Sequence, residues 1–278
     1  MKHNFSSSFK HTIRKRGMRY FLPLLTVPVL AACSVDSTTV DDSDLLANFF
    51  VQNDNGNATA LVTLTTEDLN GSNDVTLVRR EAIFFEHNGL TVELNEEDDG
   101  EYEADLPANA SGPVTFTIER VTTTTPPRLF DIDENRTFLP DTFQELVAEP
   151  VQTGQVLDLS WRVDNTQQII DGFAVPAAVE SFNALANCLT PDDDTPFDIA
   201  ITEGLITQQD GRQFLQIAVT EHLTGVLNLS AEITAATSCE FDVQLVRDIT
   251  GTTDTDLDSR STASGQTLMN VAVQWAAQ

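Results

Sequence analysis

The sequence predicts an all-β protein of two tandem antiparallel β-sandwiches, and three observations carry that expectation. Apolar residues recur mostly at period two, the pattern of a half-buried strand. Turn dipeptides fall between the alternating runs, at the eight-to-twelve-residue spacing of sandwich folds. A double proline, Pro126-Pro127, interrupts the series and offers a domain boundary, because prolines break a strand ladder and stiffen a linker.

Taken in order, the chain opens on a polar, basic stretch over residues 1–20, followed by the twelve-residue apolar run Phe21 to Ala32. A bilayer span needs about twenty apolar residues, so this run is too short for a permanent helix, and Pro23 and Pro28 weaken it further. A basic region, a short apolar region and small residues at its end are the parts of a secretory signal, expected over 1–32. Leu30-Ala31-Ala32-Cys33 resembles a bacterial lipobox. That resemblance implies cleavage before Cys33, diacylglycerol on its sulfur, and acylation of the new amino terminus by a chain such as palmitate. The alternative is an ordinary signal peptide with a chance cysteine behind it. Ser34, where sorting rules of double-membrane bacteria would place Asp to hold a lipoprotein back, implies the outer membrane, facing the periplasm or the cell surface. Met18 would open a compact signal of its own. Residues 33–44 are then expected to be the acylated cysteine and a flexible acidic tether, since SVDSTTVDDSD shows no periodicity.

The first sandwich is expected over 45–125. Leu90, Val92 and Leu94 alternate with polar residues, as do Tyr102, Ala104 and Leu106, then Val114, Phe116 and Ile118. Asn55-Gly56, Asn70-Gly71, Asn88-Gly89 and Asp99-Gly100 supply turns. The second sandwich is expected over 126–278. Leu157, Leu159, Trp161 and Val163 face one way, followed by Phe197, Ile199 and Ile201 and by Leu215, Ile217 and Val219. Leu227, Leu229, Ala231 and Ile233 continue the series, then Phe241, Val243 and Leu245. Met269, Val271, Val273 and Trp275 form a closing strand. One stretch breaks the pattern: between Pro176 and Asn187, Val175, Val179, Phe182 and Ala186 stand at helical spacing, so a short helix or irregular crossover is expected there.

With Cys33 given to lipid, Cys188 and Cys239 remain in an export compartment that permits disulfides. One bridge would close a loop of about 50 residues and contribute about 4 kcal/mol through chain entropy. The alternative, a redox or metal-binding pair, lacks the close spacing and neighbouring His that such sites use. The segments CEFDVQLVRDITGT, SGQTLMNVAVQW and LDLSWRVDN together resemble the C-terminal domain of uncharacterised bacterial lipoproteins, which carry immunoglobulin-like sandwiches behind a lipobox. The resemblance covers about half the chain. It implies location and fold, and it brings no catalytic residue with it.

Charge narrows the function further. The chain holds 15 Lys and Arg against 43 Asp and Glu, a net charge of −28. From Cys33 onward there are nine Arg, no Lys and all 43 acids, a balance of −34. Nucleic-acid binding depends on neutralising phosphates, so no nucleic-acid partner is expected. The expected attachments are the membrane, through the anchor at Cys33, and an envelope or surface protein. A lysine-free, acidic, Thr-rich surface resembles that of proteins from salt-loving organisms. Self-repulsion at this charge is screened at molar salt, where the Debye length falls to about 3 Å.

No catalytic residue is expected. A hydrolase needs a positioned nucleophile and base. The chain behind Cys33 has only His87 and His222, each read as an exposed strand or turn residue, and lacks both a nucleophile-elbow motif and a zinc-binding His-Glu-x-x-His. A carboxylate pair of the glycosidase kind stays open among so many acids. No cofactor is expected, with calcium as the alternative, since hard cations take clustered oxygen ligands. Acidic loops at Asn95–Asp99, Asp131–Asn135 and Asp192–Asp194 qualify, as do Asp254, Asp256 and Asp258. The last three have the spacing that opens an EF-hand loop but lack its central Gly and closing Glu. Solvated acidic turns are the favoured reading of each of these loops. The resulting expectation is a non-catalytic envelope lipoprotein serving structure, adhesion or assembly, with a calcium-dependent binding protein as the alternative and a hydrolase behind both.

Overall fold

The computed structural model describes residues 34–68, 71–78, 80–121, 128–162, 169–170, 173–174, 177–190 and 193–277. The alternating segments become strands. The first half of the chain gives β1 (Val35–Asp36), β2 (Leu45–Asp54), β3 (Asn57–Asp68), β4 (Gly71–Thr76), β5 (Ala82–His87), β6 (Leu90–Glu93), β7 (Asn95–Asp98), β8 (Glu101–Asp105), β9 (Gly112–Val121) and β10 (Leu129–Leu139). The second half gives β11 (Gln144–Val147), β12 (Val151–Thr153), β13 (Leu157–Arg162), β14 (Ile169–Ile170), β15 (Phe173–Ala174), β16 (Val179–Thr190), β17 (Asp193–Ile201), β18 (Leu205–Gln209), β19 (Arg212–Ile217), β20 (Ser238–Thr250) and β21 (Thr262–Ala276). Between β19 and β20 lie α1 (Val219–Glu221), a π turn (His222–Val226) and α2 (Ala231–Ala235).

The fold is all-β, as expected, but the layers are shared. One long sheet runs β1-β4-β3-β2-β21-β20-β16-β17, with β8 also on β3, β7 on β8 and β12 on β21. Two four-stranded sheets, β10-β9-β5-β6 and β11-β13-β19-β18, cover its two halves. The first core packs Phe49, Val62 and Leu64 against Ile83, Phe85, Phe116 and Ile118, with Phe49 and Phe116 ring centroids 5.1 Å apart. The second packs Phe241, Val243, Val273 and Trp275 against Leu157, Trp161, Leu215 and Ile217. On β21 the same face serves both: Ala263 lies in the first core, Val271, Val273 and Trp275 in the second. The expected pair of sandwiches therefore exists as two cores, while residues 33–278 form one compact unit.

Several expectations are corrected here. The boundary at 125/126 does not separate the cores. Residues 122–127 lie outside the described residues, and the strands flanking them pair with each other, Val121 opposite Leu129 and Ile118 opposite Ile132. Ile132 and Leu139 belong to the first core and Phe143 to the second, so the chain crosses between 139 and 143. The pairing is not wholly antiparallel either. β2 runs parallel to β21, from Asn48 opposite Thr262 to Asp54 opposite Leu268, and this contact fuses the two halves. Close approach makes the crossing: a Cβ on Gly265 would lie 1.8 Å from the Phe138 carbonyl oxygen, and Thr267 Oγ1 donates to the Pro140 carbonyl at 2.6 Å.

The helix expected within 176–187 is instead part of β16. Phe182, Ala184, Ala186 and Cys188 alternate inward, a period-two pattern that outranks the helical spacing read through Val175, which lies outside the described residues. Conversely, Leu227 to Ile233 does not form a strand. Ser230 caps α2 by accepting from the Ile233 amide at 3.2 Å, so local capping wins over the alternation. The Cys188–Cys239 disulfide forms between residues directly opposite on β16 and β20. At the crossing, Arg247 pairs with Glu180 at 2.8 Å, donates to the Asp141 carbonyl at 2.8 Å and stacks 4.6 Å from the Phe143 ring, while Trp161 Nε1 donates to Glu180 at 2.9 Å.

Candidate functional site

Cys33 itself lies outside the described residues, but the chain immediately behind it is placed. Val35 and Asp36 add a short parallel strand beside β4, Val35 opposite Val75. Asp36 then caps a single 3₁₀ turn, its Oδ1 accepting from the Thr38 amide at 3.0 Å and the Thr38 hydroxyl at 2.7 Å. The Val40 amide closes that turn on the Ser37 carbonyl at 3.1 Å, and the Asp44 amide closes a second on Asp41 at 2.9 Å. Val40 packs against the first core. The segment expected as a flexible tether is thus folded onto the first sandwich. Its Ser, Thr and Asp are turn-forming residues as well as solvating ones, and composition does not tell those roles apart.

A buried polar clasp holds it. Arg120, 3 % exposed, donates to the Ser37 carbonyl and to the Val40 carbonyl at 3.0 Å, and its Nη1 pairs with the Asp42 carboxylate. The Glu81 side chain is fully buried; Oε1 lies 3.9 Å from Arg120 Nε and accepts from the Val121 amide at 2.9 Å. Glu81 Oε2 accepts from the Val78 amide at 3.1 Å and from the Ser37 hydroxyl. A buried carboxylate needs partners of this kind to remain charged. Burial pushes the Asp42 carboxyl above the usual carboxylate value, opposed by Arg120 and reinforced by the nearby charges of Asp256, Asp41 and Glu81. Ser37 is fully buried, so its hydroxyl serves as a structural donor.

Strand parity carries a readable signal for this clasp. Val114, Phe116, Ile118 and Arg120 share one face of β9, and Glu81 stands one alternation before Ile83 and Phe85, so both charges point inward. His87 follows the same parity, which corrects the reading of it as exposed: it is 3 % exposed, Nδ1–H donates to the Pro113 carbonyl at 2.9 Å and Nε2 accepts from Asn88 at 2.9 Å.

Among the described residues, the acids weighed for calcium do not converge. Asp254 Oδ1 accepts from the Asp256 amide at 2.9 Å and Oδ2 from the Glu134 amide at 3.3 Å. Asp258 is held by Arg260, whose Nη2 lies 2.7 Å from Oδ2, and this lowers its carboxyl to about 2. Leu257 between them is buried in the first core, so the stretch is a turn pinned against β2, with the Asp258 amide on the Leu45 carbonyl at 3.1 Å. Of the other loops, Asn95–Asp98 is an exposed strand, Asp131–Asn135 lies within β10 at its register shift, Asp192 is outside the described residues, and Asp193 and Asp194 begin β17. Among the described residues, no group of three or more His, Cys, Asp or Glu is arranged to hold a metal ion.

No family model and no curated protein matches this sequence. Among solved structures the chain is similar to the FN1–FN3 domains of chicken CNTN1, at 8 % identity and a TM-score of 0.27 over 84 % of this chain and 64 % of that one. The chain thus spans less than two thirds of that fragment. It is also similar to the chicken interferon gamma receptor alpha chain, at 8 % identity and a TM-score of 0.21, covering 85 % of this chain and all of that one. A third is the Bacteroides ovatus mixed-linkage glucan utilization locus protein SGBP-B, in complex with a mixed-linkage heptasaccharide, at 10 % identity and a TM-score of 0.15 over 92 % and 68 %. The all-β assignment rests on the strands of the chain itself.

Proposed function

We propose that this chain is a non-catalytic lipoprotein of the bacterial cell envelope, anchored to the outer membrane through Cys33 and acting as a structural, adhesion or assembly module. The observation that carries the reading is Leu30-Ala31-Ala32-Cys33, in which the cysteine directly follows the small residues that close a twelve-residue apolar run. More than one acyl chain gives stable anchoring, and a triacylated cysteine supplies it. The folded segment from Val35 supports the same role. At about 3.3–3.6 Å per residue, the two steps from Cys33 to Val35 reach about 7 Å, so an anchored cysteine holds the first sandwich close to the lipid surface. The shared long sheet then carries any load from that end into the second core.

The test is fractionation of a double-membrane bacterium expressing the chain or its Cys33→Ser variant, followed by intact mass. The expected result is a membrane-bound chain beginning at Cys33 with three acyl groups, and a released variant. A released wild-type chain without acyl groups, or a variant that stays on the membrane, would overturn the reading.

A further inference from the structure

The open edge strand β18 has the features of a docking site for another extended chain. Its five residues, Leu-Ile-Thr-Gln-Gln, carry no charge, no proline and no bulge, and only Ile206 is partly covered. Among the described residues β18 pairs with β19 alone. Proteins usually blunt such edges with charges, proline, bulges or very short strands, and the other described edges follow that rule: the uncharged β12, β14 and β15 are only two or three residues long. β17 has Pro196 and three aspartates, β7 and β6 carry acids, and β10 and β11 carry both acids and register shifts. Among the described residues of a chain this acidic, an uncharged open edge five residues long stands apart.

Hairpin geometry says which groups are on offer. Asp210 and Gly211, with φ of 51° and 75°, form the two-residue type I′ turn between β18 and β19. Gln209 and Arg212 flank that turn and exchange both backbone hydrogen bonds, so the next such pairs are Thr207 with Phe214 and Leu205 with Gln216. The N–H and C=O groups of Ile206 and Gln208 therefore point away from β19, towards the open edge. Exposed acids bracket the strand, Glu203 before it and Asp210 after it.

We propose that β18 receives an extended strand of a partner protein, uncharged at its centre and basic at both ends, by edge-to-edge addition. Main-chain bonds to Ile206 and Gln208 would hold it, and Glu203 and Asp210 would select its ends. A second copy of this chain fits less well. Antiparallel self-pairing centred on Thr207 would bring Glu203 of each molecule beside Asp210 of the other, between bodies that each carry −34. The proposal names the partner chemistry of the assembly module above and rests on that reading. Membrane retention tests that reading separately, so either can fail alone.

The experiment uses the full chain and two labelled, end-blocked peptides, Arg-Thr-Val-Thr-Val-Thr-Arg and its Glu-ended counterpart, read by fluorescence anisotropy and by hydrogen exchange over 205–209. The expected result is saturable binding of the Arg-ended peptide, at least ten-fold tighter than the Glu-ended one, with exchange slowed at Ile206 and Gln208. Gln208→Pro removes an outward N–H without touching the β18–β19 ladder, and it should weaken binding at least ten-fold. A Glu203→Gln/Asp210→Asn variant should keep the slowed exchange but lose the preference between peptides. Absence of binding, equal binding of both peptides by the wild-type chain, or undiminished binding by Gln208→Pro would overturn the proposal. So would a sedimentation dimer that Gln208→Pro dissolves, which would make a second copy the occupant.

Discussion

Replacing Arg120 by methionine keeps much of the buried stem but removes the cation of the clasp. The guanidinium bridges the Ser37 and Val40 carbonyls, the Asp42 carboxylate and, at 3.9 Å, Glu81. The Glu81 side chain is fully buried, so the variant leaves an anion inside the protein with only its Ser37 hydroxyl and two amide donors. Removing one partner of a buried pair typically destabilises by about 3–5 kcal/mol, and that is the loss expected here. Asp42→Asn is the control. The Asp42 side chain is 34 % exposed, so water screens its half of the bridge and a loss below about 1 kcal/mol is expected. Urea denaturation of both variants measures the difference, since the midpoint reports stability when the slope is unchanged. An Arg120→Met variant within about 1 kcal/mol of the wild-type chain would refute the clasp as a stabilising element.

Three further outcomes follow from the same geometry. Gly265→Ala forces a Cβ to within 1.8 Å of the Phe138 carbonyl oxygen and should destabilise by about 1–3 kcal/mol or more, whereas Gly225→Ala, with open space around it, should be close to neutral; thermal melts of the two variants decide this. Asp258, lowered by Arg260 to about 2 from an ordinary 3.8, stabilises the fold above that ordinary value, and this contribution is lost as pH falls through about 2. Asp42, raised by burial, works in the opposite direction, so its contribution falls as pH rises from 3.8; carboxyl NMR titration should find the two midpoints on opposite sides of 3.8. Finally, the balance of −34 from Cys33 onward implies a melting temperature that rises from dilute buffer to 1 M sodium chloride, and a flat or falling value would contradict it.

Much of this architecture was legible in residue order, and the gaps have physical causes. Alternation through Val114–Ile118 and Val271–Trp275 identified strands and their buried faces, and the expectation that Cys33 carries lipid left Cys188 and Cys239 for the bridge. What alternation does not carry is partner choice. Nothing in Leu45–Asp54 announces that it lies parallel to Thr262–Leu268 more than two hundred residues away, and that one pairing turns two sandwiches into a shared sheet. The polar segment behind Cys33 misled for a different reason. Asp36, Ser37 and Asp42 look like solvating residues until Arg120 and Glu81, both at inward positions of their runs, are recognised as charges that need partners. The Asp254–Asp258 spacing suggested ligands, but Leu257 buries the turn and Arg260 occupies Asp258.

The most direct measurement is hydrogen exchange on the acylated chain in liposomes, read over residues 35–44. The Thr38, Val40 and Asp44 amides are bonded to the Asp36 side chain, the Ser37 carbonyl and the Asp41 carbonyl. If the folded body begins directly behind the anchor, these three amides exchange slowly, and Arg120→Met speeds them up. Exchange at the rate of an unstructured peptide in the wild-type chain would contradict this, leaving a tethered sandwich in place of one seated at the membrane.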